Sequence, residues 1–219
     1  HHSCVITSVI DNIHQVGDAL PPGREPGEHN LLATMRASAQ DFTERNYQEI
    51  FNDIQQCKGD AISAFRFGVI NLNERAKIET LYWSTLARIQ KIVEKQSFVP
   101  EELQHLDDLQ ASQYLCNFSI FQSAADSWAI GQLLPIMPVT RLDERPDVRC
   151  SLVDITCDSD GKIDRFIAKT GVGKTLLLHS LRADEEYYIG LFLTGAYQDV
   201  MGDMHNLFGR LNEVHIYGD

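Results

Sequence analysis

The sequence lacks a long apolar run and an excess of positive charge. No apolar stretch approaches the roughly 20 residues that a membrane-spanning helix needs, so we expect no membrane partner. Lys and Arg together number 19 against 31 for Asp and Glu, which gives a formal net charge of −12. Because duplex binding relies on clustered positive charge, nucleic acid is not an expected partner either.

Paired cysteines and a leader sequence are also missing. The five cysteines are odd in number and irregular in spacing, and no two form Cys-x-x-Cys, so neither a disulfide framework nor a zinc ribbon is indicated. The first residues lack the basic, apolar and small-residue succession of a signal peptide. We therefore expect a reducing, cytoplasmic location. Since the chain starts at His1 in strand-like sequence, we also expect it to be a piece of a longer protein.

The first half of the chain changes from a strand pattern to a helix pattern. Residues 4–10 are rich in β-branched side chains, which indicates a strand. From Leu31 onward apolar residues recur at helical spacing, and Gly59 is the expected end of this long helix. Further helices are expected over 60–67, 73–94 and 100–109.

After Tyr114 short strand-like runs alternate with turns, a pattern typical of a β-domain. The expected strands are 120–121, 152–155, 187–193 and 214–217. The opening strand has no partner near it in sequence, so we expect it to join this later sheet.

The sequence therefore predicts an α+β fold, in which an antiparallel β-barrel or β-sandwich-like domain is interrupted by a helical bundle. Residues 1–30 would hold the opening strand and a linker, 31–112 the bundle, and 113–219 the rest of the β-domain.

A glycine-rich segment offers one functional interpretation. Gly171-Val-Gly-Lys-Thr175 resembles the end of a phosphate-binding P-loop, and residues 176–178 could open the helix that such a loop requires. However, the position five residues before Gly173 is Ala168 rather than glycine. A nucleotide site is therefore a minor alternative to a surface loop.

A second candidate lies at the end of the strand expected over 152–155. Cys157 follows that strand, and Asp158 and Asp160 come next in an Asp-Gly turn. A thiol in such a place can exchange a proton, and the carboxylates can bind an amine or guanidinium cation. The competing interpretation is a buried cysteine in front of an ordinary turn.

Six separated segments resemble the biosynthetic arginine decarboxylases, which are pyridoxal-phosphate-dependent enzymes of fold type III. They are 117–123, 126–130, 135–138, 154–161, 195–198 and 205–209. The helical block and the first three residues are more loosely similar, while the stretch 168–183 matches none of the family's segments.

The resemblance implies a role for four residues. Cys157 corresponds to the cysteine that reprotonates the substrate carbon in the neighbouring subunit's site, and Asp158 to the acid that faces the substrate's distal cation. Asp160 is a weaker candidate for contacting the guanidinium. Tyr197 corresponds to a tyrosine beside the cofactor phosphate.

The resemblance further implies L-arginine as substrate, agmatine as the polyamine precursor produced, and Mg²⁺, whose ligands the sequence does not indicate. The partner would be a second copy of the subunit, in a dimer or larger assembly. The family's (β/α)8 barrel and its Schiff-base lysine have no counterpart in this chain, so we expect the chain alone to be inactive. A non-catalytic module derived from the same fold is the alternative.

Overall fold

The computed structural model describes residues 4–12, 23–104, 106–169, 171–195 and 197–205. The chain divides into two compact units. One is formed by residues 16–110, and the other by residues 1–15 together with 111–219.

The first unit is helical. Its elements are α1 (Asn30–Asp41), α2 (Tyr47–Arg66), α3 (Leu72–Val93), a 3₁₀ turn (Glu101–Leu103) and α4 (Leu106–Leu109). Apolar residues at helical spacing pack into one core, as with Ile78, Leu86 and Ile89 of α3. A capping box begins α3, because the Asn71 side chain accepts from the Glu74 amide while the Glu74 side chain accepts from the Asn71 amide.

The single long helix expected from Leu31 to Gly59 is wrong in two respects. First, the chain breaks between α1 and α2, where the Asn46 side chain donates to the Asp41 carbonyl and accepts from the Thr43 amide. Such side-chain bonds to the backbone compete with helix continuation. Second, Gly59 lies inside α2, so the helix expected over 60–67 is the second half of α2. A glycine inside a helix costs only about 1 kcal/mol, which the apolar packing of α2 offsets.

The second unit is a β-domain. Its strands are β1 (Cys4–Asn12), β2 (Ser112–Cys116), β3 (Ile136–Pro138), β4 (Val148–Val153), β5 (Lys162–Ile163), β6 (Phe166–Ala168), β7 (Gly171–Gly173), β8 (Leu176–Leu178) and β9 (Tyr187–Phe192). Seven strands form one sheet in the order β3-β9-β1-β2-β4-β5, with β8 also paired to β4. β1 pairs with β9 from Cys4 to Val9 and with β2 from Val9 to Asn12, which confirms that the opening strand joins the later sheet.

The expectation of a purely antiparallel sheet is wrong for one pair. β2 and β4 run parallel, from Ser112 opposite Cys150 to Leu115 opposite Val153. A parallel pair needs a crossover connection of a dozen residues or more. Residues 117–147 supply it, and they contain β3 and two short helices, α5 (Ile120–Ser123) and α6 (Ala125–Ile130).

Of three other local predictions, two are wrong and one falls outside the described residues. The strand expected over 120–121 is wrong, because those residues begin α5, where the Ser119 hydroxyl accepts from the Gln122 amide. The phosphate-loop interpretation is also wrong. β7 pairs antiparallel with β6, and residues 176–178 form β8 instead of opening a helix. The strand expected over 214–217 lies outside the described residues.

Candidate active site

The turn after β4 is organised by one buried carboxylate. Asp154 is 5% exposed. Its Oδ1 accepts from the amide and the hydroxyl of Thr156 at 2.9 and 2.7 Å, and its Oδ2 accepts from the Ile120 amide at 2.8 Å. Its own amide donates to the Gly161 carbonyl at 2.8 Å. Asp154 thus closes the 154–161 turn at its base and ties it to the start of α5.

Gly161 is required by this packing. A Cβ built at Gly161 would lie 2.2 Å from Asp154 Oδ1 and 2.5 Å from Thr156 Oγ1, well inside contact distance. The Gly161 amide also donates to the Asp158 carbonyl at 3.1 Å. The turn can therefore close tightly only because this position has no side chain.

The tip of the turn presents the three residues that the sequence singled out. Cys157 and Asp160 are exposed, and the Asp158 side chain retains 27% exposure. Asp158 Oδ1 accepts from the Asp160 amide at 2.9 Å, which fixes the two acids relative to each other. The interpretation of Cys157 as a buried core residue is wrong. One thiol and two carboxylates share a solvent-facing turn.

Three other cysteines are buried and so contrast with the exposed Cys157: Cys57, Cys116 and Cys150. Burial raises the pKa of the Cys150 thiol to about 12 and is the main cause that raises the pKa of Cys57 to about 11. Burial likewise raises the pKa of Cys116. All five cysteines are free thiols.

Tyr197 lies on a second loop with its own buried anchor. Its side chain is 73% exposed, and the loop turns at Gly195, whose φ of 59° favours glycine. Gln198 begins α7 (Gln198–Met201) and is buried. Its Oε1 accepts from the Ala125 amide at 2.9 Å, and its Nε2 donates to Asp126 Oδ2 at 2.8 Å. An exposed phenol on an anchored loop fits a phosphate group, whose oxygens accept hydrogen bonds from hydroxyls.

The two loops are attached to the first residues of two successive short helices. Asp154 binds the first amide of α5, and Gln198 binds the first amide of the next helix, α6. The first amides of a helix have no partner within the helix, so they are available to such acceptors. Residues 120–130 therefore hold both the Cys157 turn and the Tyr197 loop.

A pocket of about 270 Å³ opens beside Asp160. Its walls include the Trp128 indole and the side chains of Lys162, Asp164 and Arg165. The indole nitrogen of Trp128 donates to Asp160 Oδ2 at 3.4 Å. Pocket and turn thus share one carboxylate.

Among the residues that the structure describes, no group of three or more His, Cys, Asp or Glu side chains could hold a metal ion. In the same ranges no helix combines the length and the apolar character needed to cross a membrane.

The residues that position the candidate site could not be picked out from sequence patterns. Asp154 and Gln198 fall within segments that carry the family resemblance, but their role depends on partners 34 and 73 residues away, which spacing cannot reveal. His205, whose Nε2 lies 3.6 Å from Asp158 Oδ2, was missed for the same reason.

Comparison with known proteins finds relatives along almost the whole chain. Residues 25–107 match the family described as the arginine decarboxylase helical bundle domain. The biosynthetic arginine decarboxylase of Gloeobacter violaceus is 49% identical over 218 residues, which cover 99% of this chain and 34% of that protein. The chain is a homologue of the biosynthetic arginine decarboxylases.

Two further relatives agree with this assignment. The biosynthetic arginine decarboxylase of Thermosynechococcus vestitus is 49% identical over 216 residues, 99% of this chain and 34% of that protein. The crystal structure of the biosynthetic arginine decarboxylase SpeA from Campylobacter jejuni matches with a TM-score of 0.74 at 31% identity, over 94% of this chain and 32% of that one. The resemblance to the family is confirmed, and the chain spans about a third of the length of the relatives it matches. Its sheet and helical bundle fit part of a fold type III decarboxylase.

Proposed function

We propose that this chain forms part of a biosynthetic arginine decarboxylase that converts L-arginine to agmatine and CO₂. One observation carries the proposal. In a homologue of these enzymes, the anchored turn at 154–161 exposes a thiol beside two carboxylates. A proton donor and a cation-binding group are the two functions that such a reaction needs from this turn.

The carboxylates of Asp158 and Asp160 bind the guanidinium end of arginine. A guanidinium is planar and carries N–H donors in a fork that carboxylate oxygens accept well. Asp160 is exposed at the mouth of the pocket, and Asp158 is fixed to it through the Asp160 amide. The chain's high content of acidic residues suits a cationic substrate.

Cys157 supplies the proton that replaces the departing CO₂. Its thiol transfers the proton to the carbon from which CO₂ has left, and the resulting thiolate regains a proton from solvent after release of agmatine. Pyridoxal phosphate, when bound, supplies the electron sink that lets the carboxylate leave. Tyr197 would help to hold the phosphate of that cofactor through its hydroxyl, and its loop is kept in place by Gln198.

The rest of the active site would come from outside this chain. We propose that a (β/α)8 barrel carries the lysine that holds the cofactor, and that Cys157 and the two acids reach the site of a second copy of the subunit. An exposed turn suits such sharing. Within this chain, 1–30 and 113–219 would form the β-domain and 31–112 the inserted bundle. The enzyme would act in the cytoplasm, in polyamine synthesis, and would use Mg²⁺.

The test compares two exposed cysteines in the full-length product of the gene. We expect the unsubstituted protein, with pyridoxal phosphate, to release CO₂ from arginine in preference to ornithine and lysine. Cys157→Ala should lower agmatine formation by about 10²- to 10⁴-fold, the usual worth of a positioned acid. Cys4→Ala, which also removes an exposed thiol, should have no effect.

Two results would contradict the proposal. Equal agmatine formation by the Cys157→Ala and Cys4→Ala variants would remove the proton-donor role. Absence of CO₂ release from all three amino acids by the folded, cofactor-loaded protein would instead favour a non-catalytic module.

A further inference from the structure

Three aromatic rings from different parts of the β-domain meet at Phe121. The Phe121 side chain lies in α5 and is 4% exposed. Its ring contacts the Trp128 indole edge-to-face, with centroids 5.0 Å apart, and the His205 imidazole edge-to-face at 5.6 Å. The Phe121 carbonyl also accepts from the Asp203 amide at 3.0 Å. The buried Phe121 thus contacts the rings of Trp128 and His205, and it also binds the backbone two residues before His205.

Each outer ring faces one of the two acids of the turn. Trp128 Nε1 donates to Asp160 Oδ2 at 3.4 Å, and His205 Nε2 lies 3.6 Å from Asp158 Oδ2. Trp128 is 52% exposed and the His205 side chain 56% exposed. Solvent-facing rings of this kind hold a fixed orientation only if something buried packs against them. The edge-to-face contacts with Phe121 provide that packing.

We propose that Phe121 is a positioning residue for substrate binding, which acts through Trp128 and His205 to orient Asp160 and Asp158 toward the guanidinium of arginine. The inference rests on the proposed function. Phe121 has no role in the proton transfer from Cys157, so its loss acts on the binding of the cation rather than on the chemical step. Loss of uniform binding raises KM and leaves kcat nearly unchanged.

The test is a double-mutant cycle on KM in the full-length product of the gene. Phe121→Leu removes the ring and keeps an apolar side chain, while Trp128→Phe keeps a ring and removes only the indole N–H. We expect Phe121→Leu to raise KM for arginine about fivefold with kcat changed less than about twofold. In the Trp128→Phe variant, Phe121→Leu should raise KM by less than about half of the factor seen in the unsubstituted protein. The reason is that the effects of residues that act through one another are not additive.

A matched control separates positioning from general packing. Phe166→Leu removes the same ring from the same core cluster, in β6. It should cost comparable stability and leave KM unchanged. Fluorine NMR of protein labelled with 5-fluorotryptophan reads the geometry directly. The Trp128 resonance, assigned by its loss in Trp128→Phe, should shift in Phe121→Leu and stay in place in Phe166→Leu.

The outcomes distinguish the inference from the function it rests on. If the unsubstituted protein turns over arginine but Phe121→Leu and Phe166→Leu change KM equally, or if the cycle is additive, the inference is overturned and the proposed function stands. If the unsubstituted protein fails to turn over arginine, the proposed function falls first and the inference falls with it.

Discussion

The two units of the chain bury polar side chains for different purposes. In the helical unit, Arg36 Nε donates to Glu28 Oε2 at 3.0 Å, and both residues are buried. That bond joins residues only eight apart, across the start of α1. In the β-domain, Asp154 and Gln198 bind amides 34 and 73 residues away. The buried ion pair at the start of α1 is thus local in sequence, whereas the bonds from Asp154 and Gln198 to those two amides are long-range.

This difference follows from the kind of backbone that each unit must hold. Helices satisfy their own amides and need partners mainly at their ends, as the capping box of α3 shows. Irregular loops lack a regular internal hydrogen-bond ladder, so contacts with distant parts of the chain contribute more to holding them. Asp154 and Gln198 supply such long-range contacts for the loops with Cys157 and Tyr197.

The largest expected effect comes from removing Asp154, the buried carboxylate of the Cys157 turn. Asp154→Ala removes the acceptor for two amides and one hydroxyl, and should lower the free energy of unfolding by about 3 kcal/mol. It should also abolish most agmatine formation, because the Cys157 turn loses its base. Glu28→Ala should lower the free energy of unfolding by a similar amount, because it removes the buried carboxylate that pairs with Arg36. It should leave kcat/KM unchanged.

Denaturant unfolding and steady-state kinetics on the full-length product check both variants. If Glu28→Ala lowers kcat/KM as much as Asp154→Ala does, the distinction between the two kinds of buried polarity is lost.

The second prediction uses a pair of glycines. Gly161→Ala should destabilise by about 2 kcal/mol, since its Cβ would overlap Asp154 Oδ1, and overpacking typically costs 1–3 kcal/mol. Gly59→Ala has open space around it in α2 and should stabilise by about 0.5–1 kcal/mol. Thermal unfolding of the two variants should therefore shift in opposite directions. A shift in the same direction would contradict the packing described for the turn.

The third prediction compares two glutamines. Gln198→Leu leaves the buried Ala125 amide without its acceptor and should cost about 1–2 kcal/mol. It should also weaken pyridoxal phosphate binding by displacing Tyr197, which spectroscopic titration of the cofactor would measure. Gln56→Leu, on the exposed face of α2, should change stability by less than about 0.5 kcal/mol and leave the titration unchanged. Unchanged cofactor binding in Gln198→Leu would contradict the proposal that Tyr197, held in place by Gln198, binds the cofactor.

The smallest expected effect is on thiol reactivity and leaves stability unchanged. Alkylation proceeds through the thiolate, and burial raises the pKa of Cys57 to about 11 and of Cys150 to about 12. These two thiols stay protonated and covered near pH 8, so iodoacetamide should modify exposed Cys157 well before either. Mass spectrometry of tryptic peptides gives the order, and earlier modification of Cys150 would contradict it.

Sequence patterns predicted some elements better than others. The apolar period of α3 was sufficient because it reports directly on which face is buried. The β-branched run of β1 was sufficient because such side chains favour a strand. The break between α1 and α2 was not predicted, since one asparagine side chain decides it. Ile120 and Phe121 look like strand residues by composition, but a serine cap and a distant carboxylate start a helix there.

The candidate site shows the same limit. Local sequence brought Cys157, Asp158 and Asp160 together because they lie in one turn. The residues that contact and hold that turn lie in α5, in α6 and after α7. Such contacts depend on tertiary packing. Parallel pairing of β2 with β4 brings the end of β4 beside α5, and no spacing rule predicts that register.

Amide hydrogen exchange at Ile120 and Ala125 tests the central claim most directly. These are the first residues of α5 and α6, where amides ordinarily exchange fast for want of a partner within the helix. Because Asp154 and Gln198 bind them, we predict slow exchange at both, compared with Leu72, the exposed first residue of α3. We also predict that Asp154→Ala releases Ile120 while Gln198→Leu releases Ala125. Exchange at Ile120 and Ala125 as fast as at Leu72 in the unsubstituted protein would contradict the account that buried side chains hold the two loops.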